Sequence, residues 1–122
     1  MARDFRKIKA WQYADDLAVL VYSVTRNFPK DELYGITSQL RRAAVSVPAN
    51  IVEGANREHK KEYLHFLYIA RASMSETEYF LHLSRRLGYL LDESYSKVDE
   101  RRKETAKTLQ GLINYVKKEI TE

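Results

Sequence analysis

His59, His65 and His82 are the side chains of this 122-residue chain best suited to acid–base or metal chemistry. Glu62 and His65 form a Glu-x-x-His pair, the spacing that di-iron helical bundles use. Such a centre needs a second pair and two more glutamates on other helices. His82 has no glutamate three residues before it, so Glu62 and His65 read as a surface pair. Some RNA-cleaving helical bundles place an arginine a short, fixed distance before a histidine. Arg57 lies eight positions ahead of His65, too far for that pattern. The chain has no cysteine, which excludes disulfides, thiolate zinc sites, iron–sulfur clusters and cysteine nucleophiles. Neither a glycine-rich phosphate loop nor a Gly-x-Ser-x-Gly elbow is present. These residues imply no catalysis, no metal and no cofactor.

A second constellation is polar rather than catalytic. Gln39, Arg42, Ser46, Asn50, Glu53 and Arg57 recur every three or four residues and therefore share one helical face. Short polar groups mixed with both charge signs suit a hydrogen-bonded network better than a lysine/glutamate solvent coat. The stripe also flanks Pro48, where a helix loses one N–H and frees a carbonyl. Its competitor is an anion contact through Arg41, Arg42 or Arg57.

Charge points the same way. Lysine and arginine total 21 against 17 acids, a net of +4. Residues 1–61 carry 11 basic and 7 acidic side chains, and residues 62–122 carry 10 of each. The excess thus lies wholly in the first half. Arg3, Arg6, Lys7 and Lys9 form one cluster, and Arg57, Lys60 and Lys61 another. Repeated basic clusters bind polyanions by counterion release.

The elements that must carry these residues are helices. Four glycines and two prolines are too few breakers for a many-turned sheet. A first helix is expected from about Lys7 to Asn27, with Ala10, Tyr13, Ala14, Leu17, Val21, Val24 and Phe28 inward. It stops at Phe28-Pro29, and Asp31 then reads as the N-cap of the second. Leu33, Ile36, Leu40, Ala43, Ala44, Val47 and Ile51 continue one stripe across Pro48, which predicts a single bent helix. It ends near Gly54-Ala55-Asn56, where a left-handed cap is available. A third helix is predicted from about Glu58 to Leu87, with Tyr63, Phe66, Leu67, Ala70, Met74, Thr77 and Leu81 inward and Gly88 closing it. A fourth runs from about Glu93 to Ile120 on Val98, Thr105, Leu109, Leu112, Ile113, Val116 and Ile120, capped by Asp92, Ser94 or Ser96. The expectation is one all-α domain over residues 1–122, an antiparallel up-down four-helix bundle. The charged N-terminus lacks an apolar signal region, and no uncharged stretch approaches a membrane span of about 20 residues. A cytoplasmic protein follows, with no membrane contact.

Two helices are apolar on more than one face. Trp11, Ala18 and Tyr22 lie beside the first core stripe, and Leu64, Tyr68, Ser75 and Tyr79 form a second stripe on the third helix. A lone bundle needs one stripe per helix. Trp11, Tyr22, Leu64, Tyr68 and Tyr79 are accordingly expected at a subunit interface, where aromatic side chains are enriched.

The run from Gln39 to Gly54, QLRRAAVSVPANIVEG, followed by Arg57, closely resembles the signature of the four-helix-bundle proteins encoded in intervening sequences of 23S ribosomal RNA genes. Flanking features agree: Phe5, Lys9-Ala10-Trp11-Gln12-Tyr13-Ala14, Phe28-Pro29-Lys30, Tyr34-Gly35-Ile36-Thr37-Ser38, Phe66 to Ser73 with Glu76 and Glu78, and Leu87-Gly88-Tyr89-Leu90. Ala72 stands where that family often has glycine. The resemblance spans nearly the whole chain. It implies a small bacterial cytoplasmic bundle that often assembles as a ring-shaped homopentamer, without an established activity. The chain is more distantly similar to accessory proteins of diversity-generating retroelements, which bind nucleic acid and a reverse transcriptase. The expected function is a non-catalytic homo-oligomer that contacts RNA or DNA through Arg41, Arg42, Arg57, Lys60 and Lys61. The alternative is an oligomeric scaffold that recruits another protein and has no nucleic-acid role.

Overall fold

The computed structural model describes residues 3–121 and contains no strand among them. Four helices carry the fold: α1 (Lys9–Thr25), α2 (Ile36–Ala55), α3 (Lys60–Arg86) and α4 (Asp92–Thr121). Each helix packs against two others, α1 on α2, α2 on α3, α3 on α4 and α4 on α1, with the backbones of the diagonal pairs farther apart. The core is the set of inward stripes: Leu17, Val21, Leu40, Val47, Ile51, Leu67, Leu81, Val98, Leu109, Ile113 and Val116 are all at or near zero exposure.

Cross-helix contacts define two ends. At one, the start of α3 lies beside the end of α4, where Lys60 Nζ approaches Glu119 Oε2 at 3.9 Å. The segment before α1 joins this end, since the Arg3 guanidinium donates to the Arg57 carbonyl at 2.8 Å. At the other, the α1–α2 and α3–α4 connections meet. Tyr89 donates its hydroxyl to Glu32 Oε2 at 2.9 Å, and its ring packs on Phe28 at 5.7 Å.

Helix ends explain where expectation and structure part. Asp31 does not cap α2. It lies in a 3-10 turn, Lys30–Glu32, and α2 starts four residues later at Ile36 behind Gly35 without a side-chain cap. That turn also lifts Leu33 out of the stripe, leaving it 47% exposed. Gly54 is not left-handed either; it is helical and buried, and α2 ends through Asn56 in ordinary right-handed conformation. Gly88 does close α3, at φ 79°. Tyr89 N–H bonds the Ser84 carbonyl and Gly88 N–H the Arg85 carbonyl, the paired bonds of a Schellman end. Helix α2 runs unbroken through Pro48, which is buried inside it.

Candidate nucleic-acid interface

Gly54 makes the basic end. A Cβ there would lie 2.9 Å from Phe66 Cβ and Tyr63 Cδ1 and 3.1 Å from the Tyr63 carbonyl, so its absence lets the end of α2 touch the start of α3. The close approach brings Phe66 under Arg57, whose guanidinium stands 4.8 Å from the ring centroid. Arg57 Nη2 also pairs with Glu53 Oε1 at 3.2 Å. Arg57 is thus held on two sides before anything binds it.

Arg3 is fastened by uncharged partners. Its guanidinium donates to the carbonyls of Arg57 and, at 3.4 Å, Ala55, and lies 4.3 Å from the Tyr63 ring centroid. The C-terminal carbonyls of a helix favour a cation. Burial pushes the Tyr63 phenol above its ordinary 10.0, and the Arg3 charge opposes part of that rise. Lys60 and Lys61 occupy the first turn of α3, which His59 does not cap by its side chain. Cations are disfavoured by the dipole there, whereas an anion is welcome. Lys61, Arg57, Glu62, His65 and Phe66 line a shallow pocket of about 390 Å³. Its His65 ring meets Phe66 edge-on at 5.7 Å.

Arg41 and Arg42 lie elsewhere. About fifteen residues earlier on α2 puts them roughly 22 Å away along the helix axis. Arg41 is turned inward: Nε donates to Thr25 Oγ1 at 2.8 Å, and the guanidinium stands 4.6 Å from the Tyr22 ring centroid. Arg42 is exposed, and both arginines line an open groove of about 610 Å³ with Gln39, Ser46 and Glu76. The structure therefore groups Arg57, Lys60 and Lys61 together and places Arg41 and Arg42 in a different site.

The polar stripe also divides. Asn50 Nδ2 donates to the Ser46 carbonyl at 2.8 Å and to Ser46 Oγ at 2.9 Å, and Ser73 on α3 donates to Ser46 Oγ at 2.9 Å. Glu53 instead serves Arg57, while Gln39 and Arg42 face the groove without a hydrogen-bond partner among the described residues. Ser73 was hidden because it shares the inward phase of α3, where a hydroxyl has no pattern of its own.

The aromatic stripes are half absorbed by the chain itself. Trp11 packs edge-on against Phe5 at 4.9 Å, and Leu64 and Tyr68 lean on the core. Tyr22 and Tyr79 remain open, at 45% and 56% exposure. No group of three or more potential metal ligands exists among the described residues. Among them, too, no helix is long and apolar enough to cross a membrane.

A four-helix bundle with one basic end and a buried glycine beneath it defines a class of small helical protein. Within that class the chain belongs to the 23S rRNA-intervening sequence protein family, whose model matches residues 6–111. Six solved chains are similar. One is a protein of unknown function from the S23 ribosomal protein family of Bacteroides thetaiotaomicron, with 26% identity and a TM-score of 0.76. That match covers 85% of this chain and 97% of the other. No curated protein matches.

Proposed function

We propose that this protein is a non-catalytic homo-oligomer, a pentamer by family resemblance, that associates with RNA in the bacterial cytoplasm through its basic end. The observation that carries this reading is the gathering of Arg3, Arg57, Lys60 and Lys61 around one end of the bundle. Arg3 leans on carbonyls and a ring, and Lys61 has no acid partner among the described residues, so their charge is left for a polyanion. Membership in a family named for ribosomal RNA genes supports RNA over DNA. Assembly multiplies the patch, and phosphate binding scales with the cations engaged.

Titration of a structured RNA at low and at moderate salt tests it. A slope of several in log–log form is expected, and undetectable binding at low salt refutes the reading. Assembly is tested with Tyr79→Glu, because Tyr79 is 56% exposed and lies outside its own core. A smaller particle by light scattering is expected; an unchanged mass removes Tyr79 from the interface. The scaffold reading is favoured by a different observation, the exposed Leu33, Tyr34, Leu87 and Leu91 near the Tyr89–Glu32 contact. It gains if the RNA titration is flat.

A further inference from the structure

We propose that the pocket of Arg57, Lys61, Glu62, His65 and Phe66 takes one unpaired nucleotide whose base carries an exocyclic amine. The inference rests on the nucleic-acid reading above and narrows it from phosphate backbone to single strand.

Three features point there. First, Arg57 is ordered in advance between Phe66 and Glu53. A guanidinium fixed over a ring is a stacking surface for a base, which a mobile lysine is not. His65, edge-on to Phe66, supplies an adjoining aromatic wall. Second, the volume of about 390 Å³ is near the lower end of ligand pockets. It admits one nucleotide and not the width of a duplex. Third, Glu62 lines this pocket beside two cations, yet has no hydrogen-bond or ion-pair partner among the described residues. A carboxylate repels phosphate, so a purely electrostatic patch has no use for it. It accepts hydrogen bonds only, and the amino groups on the pairing edges of cytosine, adenine and guanine are donors. In a duplex each amine keeps a groove-facing hydrogen, but the face of the base is covered by its stacked neighbours, so only an unpaired base can meet Glu62 and stack on Arg57 together. Lys61, at the start of α3, is then the contact for the nucleotide's phosphate.

The test uses the full chain and fluorescence anisotropy with three labelled probes about ten nucleotides long: oligocytidylate, oligouridylate and an RNA duplex. Tighter binding of the single strands than of the duplex, with oligocytidylate ahead of oligouridylate, is the expected result. Arg57→Lys keeps the charge and loses the plane. It should weaken single-strand binding about tenfold and leave duplex binding unchanged. Glu62→Ala should erase the cytidine preference, with helicity and melting temperature confirming the fold of both variants. Equal affinity for single strand and duplex, or no effect of Arg57→Lys, overturns the pocket while leaving the basic end as an RNA contact. Absence of binding to all three probes overturns the pocket and the underlying reading together.

Discussion

At one end of the bundle, Arg3 rests on carbonyls and an aromatic ring while Arg57 and Lys60 meet acids; at the other, Arg85 and Tyr89 each meet an acid. Arg3 takes the carbonyls of Arg57 and Ala55 and lies over Tyr63. Across the molecule, Arg85 meets Asp92 at 2.9 Å and Tyr89 meets Glu32. The second end thereby pairs its charge and exposes leucine and tyrosine, whereas at the first Arg3 and Lys61 have no acid partner among the described residues and keep theirs. A neutral acceptor orders a cation without neutralising it, so Arg3 stays both fixed and positive. That combination suits a polyanion, and local matching suits a closed surface.

The largest expected effect tests the functional side of this contrast. Reversing Arg57, Lys60 and Lys61 to glutamate should lower affinity for a structured RNA at low salt by at least about a hundredfold. The melting temperature should stay close to that of the parent, because these side chains lie outside the core. Full retention of binding would show that the contrast has nothing to do with RNA.

Next comes the packing beneath the basic end. Gly54→Ala should destabilise by about 1–3 kcal/mol in urea unfolding, because its Cβ would press on Tyr63 and Phe66. Gly111 on α4 has nothing within 4 Å of a Cβ. Gly111→Ala should stabilise by about 0.5–1 kcal/mol. If both changes move stability the same way, Gly54 is not the spacer between α2 and α3.

A subtler measurement separates function from stability. Lys61 is a cation at a helix N-terminus, so Lys61→Glu should raise stability by about 0.3–1 kcal/mol while weakening RNA binding. A loss of both would place Lys61 in a structural role.

The smallest effect lies at the opposite end. The hydrogen bond to Glu32 and the nearby carboxylate hold the Tyr89 phenol above its ordinary 10.0. The folded state thus keeps its proton longer than the unfolded chain does. The contribution is whole below about pH 10 and fades as pH climbs through the raised folded value. The parent should therefore lose stability above pH 10 more steeply than Tyr89→Phe. Parallel curves would mean that the contact does not tie the two connections.

Much of the bundle was legible because burial imposes a period. Leu17, Leu40, Leu67 and Leu109 each sit where a helical stripe requires, and each is buried. Gly88 was legible because a left-handed residue after a helix has a strong chemical preference. The rest depends on partners distant in sequence. Arg3 and Arg57 are 54 positions apart, and Glu32 and Tyr89 are 57. No local pattern registers such pairs. Gly54 carried a turn signal, but its service is steric and visible only once α3 lies against it. Leu33 obeyed the period and still escaped the core, because the 3-10 turn around Lys30–Glu32 shifted the start of α2. At the candidate site, the clustering of Arg57 with Lys60 and Lys61 followed from adjacency. The inward turn of Arg41 did not, since it depends on Thr25 and Tyr22 of another helix.

The fastening of Arg3 to the Arg57 carbonyl also sets a schedule. At a synthesis rate of about 5–20 residues per second, Arg3 is made seconds before its acceptor, 54 positions later in the chain. On a nascent strand its guanidinium is therefore a loose cation at the surface of a particle made of RNA. The contact that steadies the finished protein is closed to it until α2 is complete, so the same arginine is a mobile charge during synthesis and a fixed one afterwards.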